Sequence, residues 1–313
     1  MKIIAFHSEK ICLRGSSVSL YDYAFYNEKI LGNRSIIITN KTGHDESALH
    51  KFIKKFPVKY YSDEREIENL IADCDIFYTI KYGKNGYLPQ NIKTCVHCVF
   101  DLSEPHGDVY AAVSKTLANK FGSTTYVPHM IGLKKSINQC NLRKTLKIPE
   151  NSVVFGRHGG PDTFDLNFVK SAIINVVNIK PEIHFIFVNT PVFYNHNRIH
   201  HIDKIVDMDE KNRFICSCDA MIHAQSLGET FGIAIGEFSV NNKPVISYSG
   251  EVWNDHYKNI LQDNALWYNN EDECYNIMLN FNPNNFKNKD LNCYKDYSPE
   301  KVMLEFKKVF IEQ

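Results

Sequence analysis

The chain has 313 residues, 43% hydrophobic and 23% charged, an ordinary globular composition with room for two cores. Its 36 basic and 36 acidic residues cancel, which excludes a long-range pull toward nucleic acid or anionic membrane. The N-terminal "MKIIAFHSEK" has too short an apolar core for a signal peptide, and no run approaches the ~20 apolar residues that span a bilayer. A soluble cytoplasmic protein with no integral membrane segment is expected.

In the first half, short apolar runs predict strands at Ile3–Phe6, Ser35–Thr39, Val58–Tyr61, Ile76–Ile80, Cys95–Phe100 and Val109–Val113. Helical patterns lie between them at Val18–Leu31, Glu46–Lys55, Glu64–Asp73 and Lys115–Phe121. Alternation of this kind predicts a parallel sheet covered by helices. Cys95-Val-His-Cys98 has the spacing of a metal or redox motif. It sits in an apolar β-type run, where positions three apart face opposite sides, and no second pair completes a zinc site. Free thiols are expected at all nine cysteines. The polar, basic stretch over 132–150 ends in Pro149 and marks a domain boundary.

The second half repeats the pattern. "SVVFGR" is a strand, Asp165 to Val177 a helix, "IHFIFV" a buried strand, Asp209–Cys216 a helix and "DAMIHA" another strand. Gly232–Val240 is a helix and "KPVIS" a strand. Ser298-Pro299 opens a last helix whose apolar positions are Val302, Phe306 and Val309. Two consecutive doubly wound domains are expected to bind ligands at the carboxyl ends of their strands, in the cleft between them.

One stretch stands out chemically. "SLGETFGIAIGEF", Ser226 to Phe238, is small and apolar yet carries Glu229 and Glu237. Glu229 falls in the loop after "DAMIHA", and Glu237 about one and a half turns into the next helix. At ~1.5 Å rise per residue they stand on the order of 10 Å apart. Between them the N–H groups of Thr230, Phe231, Gly232 and Ile233 open a helix, an anion site that Gly232 lets a phosphate approach closely. A diphosphate there, with an acid on each side to accept sugar hydroxyls, describes a nucleoside diphosphate sugar. The competing reading is structural: Glu229 complements the helix dipole and Glu237 pairs with a lysine such as Lys243.

Ser226-Leu-Gly-Glu229-Thr-Phe-Gly232-Ile-Ala-Ile-Gly-Glu237, continuing to "NNKPVIS", closely resembles the glutamate-x7-glutamate motif of GT-B glycosyltransferases of the family 4 type. "AAVSKTLANKF" with "YVPHMI" resembles the end of that family's first domain, and "LRKTLKIPENSVVFGRHGG" its entry into the second. The resemblance implies an α/β fold of GT-B type, two Rossmann-like parallel-sheet domains facing across a cleft. It divides the chain into an acceptor-side domain (1–132), a nucleotide-sugar-binding domain (133–295) and a terminal helix that crosses back to the first (296–313).

It further implies a retaining, hexosyltransferase-like enzyme of glycan biosynthesis that works without a metal or other cofactor. Its co-substrates would be a nucleoside diphosphate sugar and a glycan or small-molecule acceptor. By position, Glu237 would bind the donor ribose, Glu229 the transferred sugar, and Arg157 the diphosphate. Gly159 and Gly160 would keep the loop after Arg157 thin. Thr230, Phe231 and Gly232 would supply amides. "CLRGSSVS" resembles the family's glycine loop, so Gly15, Ser16 and Ser17 would approach donor phosphate or sugar; an ordinary helix entry with Ser as N-cap competes. His97 and His106 are candidates for the active-site histidine at the end of a central strand, and His129 is a third. The chain departs from the pattern at Thr163, where the family usually has a lysine; Lys170 is the next one along.

Other readings fit less well. Asp73-Cys-Asp75 and Asp207-Met-Asp209 precede a strand or a helix rather than follow a strand, unlike a metal-binding Asp-x-Asp. The first strand lacks the Gly-x-Gly-x-x-Gly of a dehydrogenase. A glycosidase pairs two carboxylates without a phosphate cradle. A sugar-nucleotide epimerase and a catalytically silent nucleotide- or glycan-binding protein of the same fold remain open.

Overall fold

A computed structural model describes residues 1–133, 142–250, 253 and 255–313. It comprises two compact units, Met1–Gly132 with Tyr297–Gln313, and Leu133–Asp296.

Unit 1 is built on strands β1 (Ile3–Ser8), β2 (Arg34–Asn40), β3 (Val58–Tyr61), β4 (Ile76–Lys81), β5 (Lys93–Cys98) and β6 (Val109–Ala112). All pair in parallel, in the order β3-β2-β1-β4-β5-β6. Parallel pairing demands crossovers. Here α1 (Gly15–Lys29), α2 (Glu46–Lys55) and the single turn α3 (Ile67–Leu70) supply the first three, and α4 (Lys115–Lys120) follows β6. Side chains alternate across β1. Ile4 and Phe6 pack into a core with Tyr23 of α1, while Ala5 packs on the other face with Ile36, Ile38 and Phe77. The last helix of the chain belongs to unit 1, where Val302, Met303, Phe306 and Phe310 are buried in the same core as Ile4 and Phe6.

Unit 2 has strands β7 (Val153–Arg157), β8 (Ile183–Val188), β9 (Ile199–Ile202), β10 (Ala220–His223), β11 (Val245–Tyr248) and β12 (Ala265–Tyr268). Their order is β12-β11-β10-β7-β8-β9, again all parallel. Counted within the unit, this is the winding of unit 1. The chain builds three strands outward, returns, and adds the fourth on the far side of the first. The crevice at that reversal, outside the carboxyl ends of the first and fourth strands, is where open α/β sheets bind ligands. The helices of unit 2 are α5 (Leu142–Thr145), α6 (Asn167–Ile179), α7 (Met208–Ser217), α8 (Ile233–Val240), α9 (Asp255–Leu261) and α10 (Glu271–Leu279). The terminal helix of unit 1 is α11 (Pro299–Phe306), extended by one wider turn, Lys307–Ile311.

Several boundaries differ from expectation. α1 begins at Gly15, so Gly15, Ser16 and Ser17 form its first turn; Arg14 is the N-cap residue and makes no side-chain cap. Ser17 is not a cap either. Its hydroxyl accepts the Cys12 amide at 3.1 Å. The helix expected over Glu64–Asp73 is a 3-10 turn, Glu64–Glu66, and then α3. The sequence pattern predicts neither edge strand, β9 or β12; "IHHI" interrupts its apolar run with two histidines. Part of the 132–150 stretch lies outside the described residues. The eight cysteines among the described residues are free thiols. No helix among the described residues is long and apolar enough to cross a membrane.

Candidate functional site

The reversal point of unit 2 gathers most of the residues singled out in the sequence. β7 ends at Arg157 and β10 at His223, and the loops that follow are tied together. The Asp165 amide donates to the Ala224 carbonyl at 3.1 Å, and Asp165 accepts the Ser226 amide and hydroxyl at 2.7 and 2.5 Å. A third loop joins them through Asn189, whose Nδ2 donates to the Gly159 carbonyl at 2.9 Å.

Arg157 lies beneath these loops, 2% exposed. Its Nη1 donates to Thr190 Oγ1 at 2.6 Å and its Nη2 to Thr163 Oγ1 at 2.6 Å and the Gly160 carbonyl at 2.7 Å. Gly159 holds φ +152, and a Cβ there would lie 3.1 Å from Nη2, so the loop must be bare to fold over the guanidinium. Burial pulls the Arg157 pKa down to about 10, and the nearby charges of Glu229, Asp162 and Asp165 oppose that shift. It stays a cation at neutral pH. Thr163, standing near the family's usual lysine position, spends its hydroxyl on this cation. Lys170 sits on α6 with its ammonium 3.4 Å from Asn167 Oδ1.

The loop after β10 turns into α8 at Gly232, the cap residue, with φ +80 in the left-handed region. Gly232 has no side chain to cap the helix, and the first-turn amides of a helix have no intrahelical partner. A Cβ on Gly232 would come 3.2 Å from Ile235 Cδ1. Thr230 and Phe231 are buried, and the Phe231 carbonyl accepts the Tyr294 hydroxyl at 3.1 Å. Glu229 is half-buried and its amide donates to the Trp253 carbonyl at 3.0 Å, which fixes the loop from behind.

Glu237 is where the structure adds most. It is 2% exposed. Lys211, from α7, donates to its Oε1 at 2.7 Å, and His158 Nε2 stands 3.1 Å from Oε2. Burial alone would raise the carboxyl pKa, but Lys211 and His158 outweigh it and hold Glu237 down at about 2. Burial depresses His158, against the pull of Glu237. Lys243, the partner anticipated from sequence, instead donates to the Cys216 carbonyl at 3.3 Å. Sequence reasoning missed both actual partners. A signal existed for one: Lys211 falls on the buried stripe of α7 with Phe214 and Ile215, an odd place for a lysine.

The remaining candidates belong to unit 1. Gly15 and Ser16 are exposed in the first turn of α1. His97 on β5 is fully buried: Nε2 lies 2.8 Å from the Val127 carbonyl, which only accepts, so Nε2 bears the proton and Nδ1 accepts the Tyr78 hydroxyl at 2.6 Å. Burial lowers its pKa to about 4. Neutral and bonded at both nitrogens, it ties β5 to Tyr78 of β4 and to the Val127 carbonyl. His106, half-buried, lies with Nδ1 2.6 Å from the Glu104 carbonyl. His129 is buried against Tyr23 and His97. The two Asp-x-Asp stretches are structural, with Asp75 accepting the Ile3 amide at 2.7 Å and Asp207 capping α7. Among the described residues no group of three or more His, Cys, Asp or Glu is placed to hold a metal ion.

The whole chain has known structural counterparts. It aligns with HepE from Anabaena, solved in complex with UDP-glucose, at 13% identity over 99% of this chain and 96% of that one, TM-score 0.69. A glycosyltransferase from Rickettsia africae gives 14% identity, 99% and 98% coverage and TM-score 0.69. Sucrose-phosphate synthase from Thermosynechococcus elongatus gives 10% identity, 100% and 99% coverage and TM-score 0.70. The fold is GT-B. No protein-family model matches the sequence, and no curated protein matches it. A GT-B chain holds two Rossmann-like units, which accounts for the repeated winding. In unit 2 of this GT-B chain the reversal crevice presents a bare helix start, two acids and two buried cations.

Proposed function

We propose that the protein is a glycosyltransferase that takes a sugar from a nucleoside diphosphate sugar, with retention and without a metal, and passes it to a glycan or small-molecule acceptor. The observation that carries this reading is the start of α8 at the glycine cap Gly232, flanked by Glu229 and Glu237 beside the buried Arg157. A diphosphate on those amides gains charge as it leaves. The helix start and Arg157 oppose that charge in a site of low dielectric, where fixed dipoles and cations act strongly. Glu229 takes hydroxyls of the transferred sugar and Glu237 those of the ribose. Structural counterparts of the same fold bind UDP-glucose and UDP, which makes a UDP-sugar the first donor to try.

One observation favours a second reading, a silent binding protein of the same fold. Thr163 replaces the usual lysine and, with Gly160 and Thr190, already occupies the terminal nitrogens of Arg157. The two readings separate in one assay, hydrolysis and transfer measured on a panel of UDP-, GDP- and ADP-sugars. Turnover that falls in Glu229→Ala supports transfer. Donor binding without turnover on any acceptor supports the silent protein, and absence of binding refutes both.

A further inference from the structure

Glu237 has an environment that its proposed task does not by itself require. Its carboxylate meets groups from two other elements: Lys211 of α7 donates to Oε1 at 2.7 Å, and His158, just past β7, stands 3.1 Å from Oε2 without aligning as a hydrogen bond. His158 is itself locked, its ring stacked on Phe238 and edge-on to Phe214. Helical side chains lean toward the N-terminus of their helix. The head of Glu237 therefore lies back over the first turn of α8, the turn that begins beside Gly232. Each carboxylate oxygen accepts two hydrogen bonds; Oε1 takes one from Lys211 and Oε2 takes none among the described residues, which leaves capacity for a ligand's hydroxyls.

We propose that Lys211 and His158 are positioning residues for sugar-hydroxyl recognition: they pin the Glu237 carboxylate in one orientation, ready to accept the donor ribose. This rests on the reading of Glu237 given above. A flexible surface acid would lose rotamer freedom on binding, whereas a pinned one has already lost it on folding. The depressed pKa of Glu237 agrees with this, since an acceptor of two hydroxyls must be ionised. The alternative is that the three groups only satisfy one another in a core that would be equally good without them.

The test compares UDP, GDP and ADP with their 2′-deoxy analogues by calorimetry, using the full chain. Wild type should bind the ribo form of its preferred base roughly tenfold to a hundredfold more tightly, the worth of a hydrogen bond to a charged acceptor. His158→Phe keeps the stacked ring and should fold, yet the preference should shrink to about threefold or less as the carboxylate loses one restraint. Lys211→Met should abolish the preference and Lys211→Arg should restore part of it; if Lys211→Met does not fold, His158→Phe decides. A wild type that binds none of the diphosphates, or binds ribo and deoxy forms alike, overturns the hydroxyl-binding role of Glu237 and the proposal with it. A wild type that discriminates while folded His158→Phe discriminates equally well overturns the positioning role alone.

Discussion

At the reversal point of unit 1, His7 on β1 shares its two ring nitrogens with Thr79 on β4 at 3.2 Å and Tyr61 on β3 at 2.9 Å. At the corresponding place in unit 2, β7 ends in Arg157 and is followed by His158, with Lys211 and Glu237 buried beside them. The winding is the same, but His7 is held by a neutral network with Lys81 nearby, whereas Glu237 is held in a buried ion pair. Neutral groups lose little on burial once hydrogen-bonded, whereas buried ions persist only if paired and bonded. An ionic crevice is therefore a costly arrangement, and it suits a charged ligand such as a diphosphate.

The largest expected effect tests that contrast directly. Lys211→Met strands a buried carboxylate and should cost about 3–5 kcal/mol of unfolding free energy. Tyr61→Phe in unit 1 removes one neutral partner of His7 and should cost about 1–2 kcal/mol. Urea denaturation of both variants measures the difference. Equal losses would mean the two crevices do not differ in kind.

Acid titration separates them next. Burial, with Lys81 nearby, pulls His7 down to about 3. Its folded value is below the ordinary 6.5, so the unfolded chain takes the proton first. Stability is complete above pH 6.5 and falls by roughly 1.4 kcal/mol per unit as pH drops toward 3. Glu237 is depressed from 4.5 to about 2, so its contribution is complete above 4.5 and is lost only between there and 2. Urea midpoints measured against pH should show His7→Phe flattening the profile from 6.5 downward, and Glu237→Gln only below 4.5. A His7→Phe profile parallel to wild type between pH 6 and 4 would place His7 in contact with water.

What the sequence shows and what it hides follow the same division. Continuous apolar runs such as Ile183–Val188 announce central strands, because buried positions on both faces leave no polar interruption. Edge strands such as Ile199–Ile202 face solvent in part and admit His200 and His201, so their pattern dissolves. Glu229, Gly232 and Glu237 are legible because one short segment holds them all, and local chain geometry sets their spacing. The partners of Glu237 are not. Lys211 is 26 residues away, and only the parallel winding brings α7 against α8. Gly15 and Ser16 are ambiguous for a different reason: a small, polar run suits a loop and a first helical turn equally well, and they lie in the first turn of α1.

Two glycines sharpen the comparison at smaller scale. Gly232 holds φ +80 with Ile235 Cδ1 3.2 Å from where a Cβ would stand. Gly232→Ala should cost about 1–2 kcal/mol for the left-handed backbone alone and weaken diphosphate binding as well. Gly15 is not among the glycines with positive φ, and Gly15→Ala in the first turn of α1 should be neutral or slightly stabilising. Thermal melts with and without UDP measure both. If the two substitutions behaved alike, the start of α8 would be no more specialised than that of α1.

The most pointed control on the ionic crevice compares two lysines. Lys211 and Lys243 are both near Glu237 in the fold or the sequence, and charge alone does not distinguish them. Geometry does. Lys211 reaches Oε1, while Lys243 spends its ammonium on the Cys216 carbonyl at 3.3 Å. Lys243→Ala should therefore cost only about 1 kcal/mol, the worth of one partly buried hydrogen bond. It should also leave the preference between ribo- and deoxynucleotide untouched. A loss from Lys243→Ala comparable with that from Lys211→Met would show that Glu237 answers to the general field of nearby cations rather than to one fixed ammonium, and the distinction between a built ionic crevice and a merely charged one would go with it.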